Sequence, residues 1–352
     1  RSDELRPSTL PESADLRQSK YVCTAGELCA TERADFWALL GEHVEGRLFV
    51  DVGANKGLTS AWMLQTFAPE CNVTVEAELA SVVEYFHAHA TQKNLRWGPC
   101  HNGFRRRKKF SAQPRDAAAC ERSGVCVHSF EPSRPLFEMA QWLRRDVNAS
   151  WLWHSEAVSN YVGSAQFRTV WDEGSAIVRE KEVGDNVLTV PVVTLDAWAE
   201  KELRPGERIA VLKVDAEGQD GKVLVGARSL LAANRVEALV FERPLNFPVS
   251  FRGDDDEKSR IRSETAFYRY LFDNLGFNCY LPGRKVSQNN VLLTHTKHTL
   301  LALRDQPGRP CPIRNVICAH AGSALDRALF VTSIAFSIAN ATSVSTFVQH
   351  IV

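Results

Sequence analysis

The sequence Val50-Asp51-Val52-Gly53-Ala54-Asn55-Lys56-Gly57 decides the fold of this chain. Residues 47–52 form a short apolar run that ends at a glycine, which is typical of a buried parallel strand. Residues 57–67 then place apolar side chains on one helical face, namely Leu58, Ala61, Trp62 and Phe67. The stretch therefore predicts a strand, a tight glycine turn and a helix in succession.

The same alternation continues along the chain. Further buried strands are predicted at 125–130, 151–158, 209–214 and 236–241, and short final strands at 279–281 and 290–293. Helical spacing is found after Ser133 and at 222–233 and 265–274, and exposed hairpin-like strands at 165–170 and 188–193. This order predicts a doubly wound, mainly parallel α/β sheet. Right-handed crossovers would bring three acidic strand ends to one edge, namely Asp51, Glu131 and Asp215.

Length and composition fit one large domain with extensions. The chain has 352 residues, of which 44% are hydrophobic and 24% charged. We predict an N-terminal extension over 1–40, a main domain over 41–305 with an insertion at 68–124, and a C-terminal extension over 306–352. The 42 basic and 42 acidic residues cancel, so bulk charge predicts neither a nucleic-acid nor a membrane partner. The uncharged tail 328–352 contains many polar residues, which favours packed or irregular structure over a membrane anchor.

The cysteines leave the compartment open between the cytoplasm and the secretory pathway. None of the nine forms a CxxC pair, so a zinc ribbon is not predicted. Three spacings would suit local disulfides in an oxidising compartment, those of Cys23/Cys29, Cys120/Cys126 and Cys311/Cys318. Reduced cysteines in the cytosol are the alternative. Glycosylation sequons begin at Asn72, Asn148 and Asn340, and chance alone would produce one or two.

The acidic and glycine residues of the first loops indicate a nucleoside ligand. Gly53 and Gly57 permit a sharp turn and the close approach of backbone to a ligand. Asp51 has the wrong charge for a loop that holds pyrophosphate, but the right charge near a cationic or hydroxyl-bearing ligand such as a sulfonium. The alternative is a tight turn in which Asp51 only starts the helix. Glu131, at the end of the second strand, can accept hydrogen bonds from both ribose hydroxyls.

Four segments together resemble the FkbM family of methyltransferases. They are Val50–Gly57, Phe130-Glu131-Pro132, Val190–Asp196 and Leu212-Lys213-Val214-Asp215-Ala216-Glu217-Gly218. The last is the most specific, and the resemblance covers about residues 47–295. It implies a class I methyltransferase fold with a Rossmann-like seven-stranded sheet, S-adenosylmethionine as cofactor, and a hydroxyl group of a sugar or small metabolite as methyl acceptor.

The resemblance also implies residue roles. Around the cofactor, it places Asp51, Gly53, Asn55 and Gly57 at the methionine moiety, Glu131 at the ribose, and Glu156 and Ala157 beside the adenine. Asp215 and Glu217 would lie near the transferred methyl group. The insertion 68–124 departs from the family, which reaches its second strand soon after the first helix, so the substrate entrance is expected to differ.

An alcohol acceptor needs an aligned hydroxyl and a base. Asp215 is the first candidate for the base or for orienting the acceptor, with Glu217 and Glu242 as second choices. Lys213 either holds Asp215 ionised or points into the sheet flank and pairs elsewhere. Asp215 and Glu217 would share a face of an extended segment, but the sequence supplies no third ligand, so no metal site is predicted.

The sequence therefore predicts a methyltransferase that uses S-adenosylmethionine, with O-methylation of a hydroxyl on a glycan or small metabolite. An NAD(P)-dependent oxidoreductase would require Gly-x-Gly-x-x-Gly, whereas the loop here reads Gly-x-x-x-Gly. A cofactor-binding protein without catalysis is the second alternative. The basic run Arg105–Lys109 is a hypothetical site for an anionic acceptor. Oligomeric state and the acceptor itself stay open.

Overall fold

A computed structural model describes residues 34–89, 114–144, 147, 149–169, 176–177, 187–243, 249–250, 260–261, 264–281, 291–292 and 314–331. The predicted N-terminal extension up to residue 33, the basic run Arg105–Lys109 and the tail beyond residue 331 lie outside these ranges. In the ranges that are described, no helix combines the length and hydrophobicity needed to cross a bilayer.

Strands and helices alternate along the chain. The strands are β1 (Leu48–Val52), β2 (Cys126–Phe130), β3 (Trp151–His154), β4 (Ala157–Val158), β5 (Gly163–Arg168), β6 (Ala176–Ile177), β7 (Val187–Val193), β8 (Ile209–Val214), β9 (Val236–Arg243), β10 (Val249–Ser250), β11 (Arg260–Ile261), β12 (Phe277–Leu281), β13 (Val291–Leu292) and β14 (Arg314–His320). The helices are α1 (Ala34–His43), α2 (Leu58–Phe67), α3 (Val75–His89), α4 (Ala117–Ser123), α5 (Arg134–Leu143), α6 (Leu195–Glu202), α7 (Asp220–Val225), α8 (Arg228–Ala232) and α9 (Glu264–Leu275). A short 3₁₀-helix occupies Pro69–Cys71.

The main sheet has the strand order β13-β12-β14-β9-β8-β1-β2-β3. The five strands from β9 to β3 are mutually parallel. Strand β14 is antiparallel to both β9 and β12, so β12 runs in the same direction as β9. The prediction of an α/β fold with a mainly parallel sheet is confirmed. The two-residue edge strand β13 makes eight strands where seven were predicted.

Helices pack on both faces of the sheet, and the central strand β1 contributes apolar side chains to both sides. Phe49 belongs to a core cluster with Phe36 of α1 and Met63 of α2. Its neighbour Val50 belongs to a second cluster with Leu195 of α6. Successive strand residues point to opposite faces, so the two clusters are the two halves of the hydrophobic core on either side of β1.

Two predicted elements are divided in the structure. The predicted strand 151–158 is interrupted at residues 155–156, after which Ala157–Val158 pairs with β7 in a separate four-stranded sheet. The predicted helix 222–233 is interrupted around Gly226, whose carbonyl accepts a hydrogen bond from Asp196 N at 2.9 Å. A Cβ atom at Gly226 would lie 2.1 Å from Ser159 O. This close approach requires glycine and breaks the helix.

The predicted domain boundary at residue 305 is wrong, because the main sheet extends beyond it. Residues 314–320, assigned to a C-terminal extension, form strand β14 between β9 and β12. Its middle residues Val316, Ile317 and Cys318 are fully buried. The C-terminal segment therefore completes the sheet.

The disulfides differ from the predicted local pairs. Cys120 is bonded to Cys71, and Cys318 to Cys279, its register partner on β12. Cys126, whose spacing would suit a bond to Cys120 in an oxidising compartment, is free. The predicted pairings of Cys120/Cys126 and Cys311/Cys318 are wrong because spacing along the chain carries no information about neighbours in the sheet. Cys23 and Cys29 lie outside the described residues.

Candidate functional site

The carboxyl ends of β1, β2 and β8 meet in one hydrogen-bonded junction. The backbone N–H groups of Gly53 and Ala54 both donate to Phe130 O at 3.0 Å, and Asp215 N donates to Val52 O at 3.0 Å. These bonds place the glycine loop between the ends of β2 and β8. The edge of the sheet where the sequence predicts a ligand is therefore a single connected structure.

The glycine loop is shaped by close approach on both sides. Gly53 has φ +72°, and a Cβ atom there would lie 1.8 Å from Asp215 O. Gly57, with φ +79°, precedes α2 and would meet Trp153 Cζ2 at 2.8 Å. Asn55 between them also has a positive φ of 51°. Larger residues at the two glycines would separate the loop from its neighbours.

The buried side chain of Lys213 on β8 contacts the neighbouring strand β1. Lys213 Nζ lies 3.1 Å from Asp51 Oδ1, 3.6 Å from Asp215 Oδ2 and 3.1 Å from Gly53 O. The side chains of Lys213 and Asp51 are 4% and 0% exposed, and that of Asp215 is 34% exposed. Lys213 therefore contacts the carboxylates of both Asp51 and Asp215, and its effect on the charge of Asp215 stays a prediction.

Asp51 also ends a chain of hydroxyl hydrogen bonds. Ser60 Oγ donates to Asp51 Oδ2 at 2.7 Å and lies 2.7 Å from Ser129 Oγ. Because Ser60 gives its only hydrogen to the carboxylate, Ser129 must donate to Ser60. Trp151 Nε1 in turn donates to Ser129 at 2.9 Å. Asp51 is thus fully enclosed, and its direct contact with a cofactor stays a prediction.

Glu131 is a buried carboxyl group with fixed orientation. It is 4% exposed, and its two oxygens accept hydrogen bonds from Asn55 N and Ser133 N, each at 2.8 Å. Burial raises the pKa of Glu131 to about 7, although the two N–H donors act in the opposite direction. Each oxygen can accept a further hydrogen bond, so the group is arranged to bind a pair of donors.

The residues predicted beside an adenine lie at the end of the neighbouring strand. Ala157 is buried in β4, and Glu156 is half-buried just before it. Glu131 N donates to His154 O at 2.9 Å, which fixes the end of β3 beside the end of β2.

Glu217 differs from its predicted conformation. It has φ +50° and stands in a turn, with its side chain exposed, and Gly218 follows with φ +83°. The expected common face of Asp215 and Glu217 on an extended segment is therefore wrong. Within the described part of the chain, no group of three or more His, Cys, Asp and Glu side chains is arranged to hold a metal ion.

Sequence reasoning missed Asp220, which is 1% exposed. Its oxygens accept hydrogen bonds from Glu242 N at 3.2 Å and Ala216 N at 3.4 Å, so it connects the loop after β8 to β9. Burial and the charge of Asp215 raise the pKa of Asp220 to about 7 and that of Glu242 to about 9. The spacing of Asp220 from Asp215 was visible in the sequence, but its burial was not.

This combination of a mainly parallel α/β sheet, a glycine loop and acidic strand ends is typical of α/β enzymes, in which ligands bind at the carboxyl ends of the strands. The family model described as "Methyltransferase FkbM domain" matches residues 51–279, and the chain belongs to this family of methyltransferases. A crystal structure of methyltransferase FkbM from Methylobacillus flagellatus KT is 12% identical, with a TM-score of 0.30 over 76% of this chain and 61% of that one. The present chain thus covers about three fifths of that protein's length. A search of curated proteins gave no match.

Proposed function

We propose that this chain transfers the methyl group of S-adenosylmethionine to a hydroxyl oxygen of a glycan or small metabolite. The observation that carries the proposal is the buried Glu131 carboxyl group beside the glycine loop, oriented by Asn55 N and Ser133 N. A pair of vicinal ribose hydroxyls is the ligand that such a carboxylate fits. The strand order, with antiparallel β14 between β9 and β12, supports a Rossmann-like, class I methyltransferase arrangement.

The residues at the sheet edge fit this cofactor. Glycine at positions 53 and 57 lets the loop pack directly against Asp215 O and Trp153 with positive φ, which would set the path of its backbone around the methionine moiety. The methionine moiety would be held by Gly53, Asn55 and Gly57, the ribose by Glu131, and the adenine by Glu156 and Ala157. Asp51 and Lys213, which lie on strands β1 and β8, would hold the loop in position. When bound, S-adenosylmethionine supplies a methyl group already activated by its sulfonium.

Asp215 is the group that best fits the role of base. Its side chain is 34% exposed at the end of β8, and Lys213 Nζ lies 3.6 Å from its Oδ2. A carboxylate at this partly exposed position can orient an acceptor hydroxyl and take its proton. Burial and the charge of Asp215 raise the pKa of Glu242, so this carboxyl group fits the role of base less well than Asp215 does. Glu217 is exposed on the turn beyond and has a secondary role in this proposal.

The test is a screen of pooled glycans and metabolites with cofactor labelled on the transferred methyl group. We expect a labelled product from the wild-type chain and none from Asp215→Ala. Asp215→Asn keeps the shape of the side chain and removes its basicity, so it separates proton transfer from packing. Asp273→Asn on α9 is the control, with activity unchanged.

Two outcomes would contradict the proposal, and a third would contradict only the role given to Asp215. A thermal shift with NAD and none with S-adenosylmethionine would identify an oxidoreductase. Cofactor binding without any labelled product would identify a binding protein. Full activity in Asp215→Asn would remove Asp215 from the role of base while leaving methyl transfer in place.

A further inference from the structure

The sequon Asn72-Val73-Thr74 lies in the insertion, in an arrangement that exposes both of its polar residues. Asn72 and Thr74 are exposed, whereas Cys71 and Val73 are 0% and 1% exposed. Asn72 has the left-handed backbone of a tight turn, with φ 55°. Among the described residues, none is hydrogen-bonded to its side-chain amide. The amide is therefore directed to solvent, as N-glycosylation requires.

A disulfide beside the sequon indicates the compartment. Cys71, which directly precedes Asn72, is bonded to Cys120, and a second disulfide joins Cys279 to Cys318. Both cystines have buried side chains inside the fold. Structural disulfides of this kind form and persist in oxidising compartments such as the lumen of the endoplasmic reticulum. N-linked glycans are attached in that same lumen.

We propose that Asn72 is a site of N-glycosylation. The donor is a lipid-pyrophosphate-linked oligosaccharide. A bond forms between Asn72 Nδ2 and the anomeric carbon, the bond from that carbon to the lipid pyrophosphate breaks, and the pyrophosphate leaves with the electron pair. The amide loses one proton to the glycosyltransferase.

The position of Asn72 keeps a glycan away from the functional site. Arg47 Nη1 donates to Phe67 O at 2.9 Å, which places the end of α2 beside the start of β1. Asn72 follows that end, while the glycine loop follows the other end of β1. A five-residue strand spans about 16 Å. Glycosylation at Asn72 is therefore compatible with cofactor binding.

Thr74 offers a matched set of variants. Its Oγ1 accepts a hydrogen bond from Ala77 N at 3.2 Å at the start of α3. Aspartate can make the same bond, as Asp116 does with Ala119 N at 2.8 Å at the start of α4. Thr74→Asp thus keeps the helix start and destroys the sequon, whereas Thr74→Ser keeps both.

The experiment expresses the full chain behind a cleavable secretory leader in a eukaryotic cell. The secreted protein is treated with peptide N-glycosidase in ¹⁸O water, and the peptide containing residue 72 is analysed by mass spectrometry. We expect ¹⁸O-labelled aspartate at position 72 in the wild type and in Thr74→Ser, and none in Thr74→Asp or Asn72→Gln. Asn72→Gln is expected to bind S-adenosylmethionine, used as the probe, with unchanged affinity.

Two results would overturn the inference. One is an unmodified Asn72 in secreted wild-type protein whose Cys71–Cys120 disulfide is shown to be formed. The other comes from protein recovered from its own source in denaturant with iodoacetamide, if Cys71 and Cys120 are alkylated there. Neither result depends on methyl transfer, so failure here is distinguishable from failure of the proposed function.

Discussion

Replacing Lys213 by methionine should destabilise the chain strongly, because it leaves the buried Asp51 without its counter-charge. Asp51 is 0% exposed, and Lys213 Nζ lies 3.1 Å from its Oδ1. That oxygen receives no aligned hydrogen bond from the described residues, so it depends on the lysine charge. Removing one member of a buried ion pair costs about 3–5 kcal/mol. The contact with Asp215 adds at most about 1 kcal/mol, since that side chain is 34% exposed.

The double variant Lys213→Met/Asp51→Asn tests the reasoning. It removes both charges, and asparagine still accepts the hydrogen bond from Ser60, so the expected loss falls to about 1–2 kcal/mol. Urea unfolding at pH 7 with the disulfides intact measures both values. Lys201→Met is the control. Its side chain is 81% exposed beside Glu202, and we expect no measurable change.

The interpretation of the Lys213 network would be refuted by either of two results. In the first, Lys213→Met costs less than about 1 kcal/mol, which shows that the buried charge is compensated elsewhere. In the second, the double variant loses as much stability as the single variants Lys213→Met and Asp51→Asn together, which shows that the charges are not coupled.

Three further predictions concern neighbouring groups. Burial raises the pKa of Glu131 to about 7. If ribose hydroxyls bind its ionised form, the affinity for S-adenosylmethionine measured by calorimetry should fall about tenfold for each pH unit below that value. An affinity that is constant between pH 5.5 and 8 would contradict this. Gly53→Ala should abolish cofactor binding, because its Cβ would lie 1.8 Å from Asp215 O. Gly124→Ala has the same positive φ with open space around it, so it should cost only about 1–2 kcal/mol of stability and keep affinity. Burial raises the pKa of Glu242 in the folded chain to about 9. Between pH 5 and 9 the folded chain therefore holds this proton and the unfolded chain loses it, so the free energy of unfolding of the wild type should decrease as the pH rises. Glu242→Gln should show a smaller decline in urea unfolding, and parallel pH profiles would argue against burial of this carboxyl group.

The parts of the fold visible in the sequence are those fixed by local pattern. Strand β8 occupies the predicted residues 209–214, because a short, almost continuous apolar run is typical of a parallel strand that is buried on both faces. Strand β14 was missed, since its apolar centre is only a few residues long and its place depends on pairing with β9 and β12. The disulfide pairing could not be predicted for the same reason, because Cys279 and Cys318 become neighbours only when those strands pair.

The candidate site divides in a similar way. The glycine loop, Glu131 and Asp215 could be located at strand ends, and the structure brings them together. The sequence could not show that Lys213 contacts two carboxylates, since that depends on which face of β8 the side chain occupies. Nor could it show the burial of Asp220, because that follows from the path of the loop over the end of β9. Their roles in binding and transfer stay predictions.

Because β14 lies late in the chain, it is synthesised after both of the strands that it pairs with, β9 and β12. Cys318 follows Cys279 by 39 residues, yet β14 is the strand that separates β12 from β9. At about 5–20 residues per second, β12 awaits its neighbour for about 2–8 s, and β9, which is synthesised earlier, waits longer. During that interval the ribosome-bound chain presents two unpaired strand edges, the kind of surface that nascent-chain chaperones protect from aggregation. The Cys279–Cys318 bond can form only after β14 has been synthesised, so its formation reports that β14 has joined the sheet.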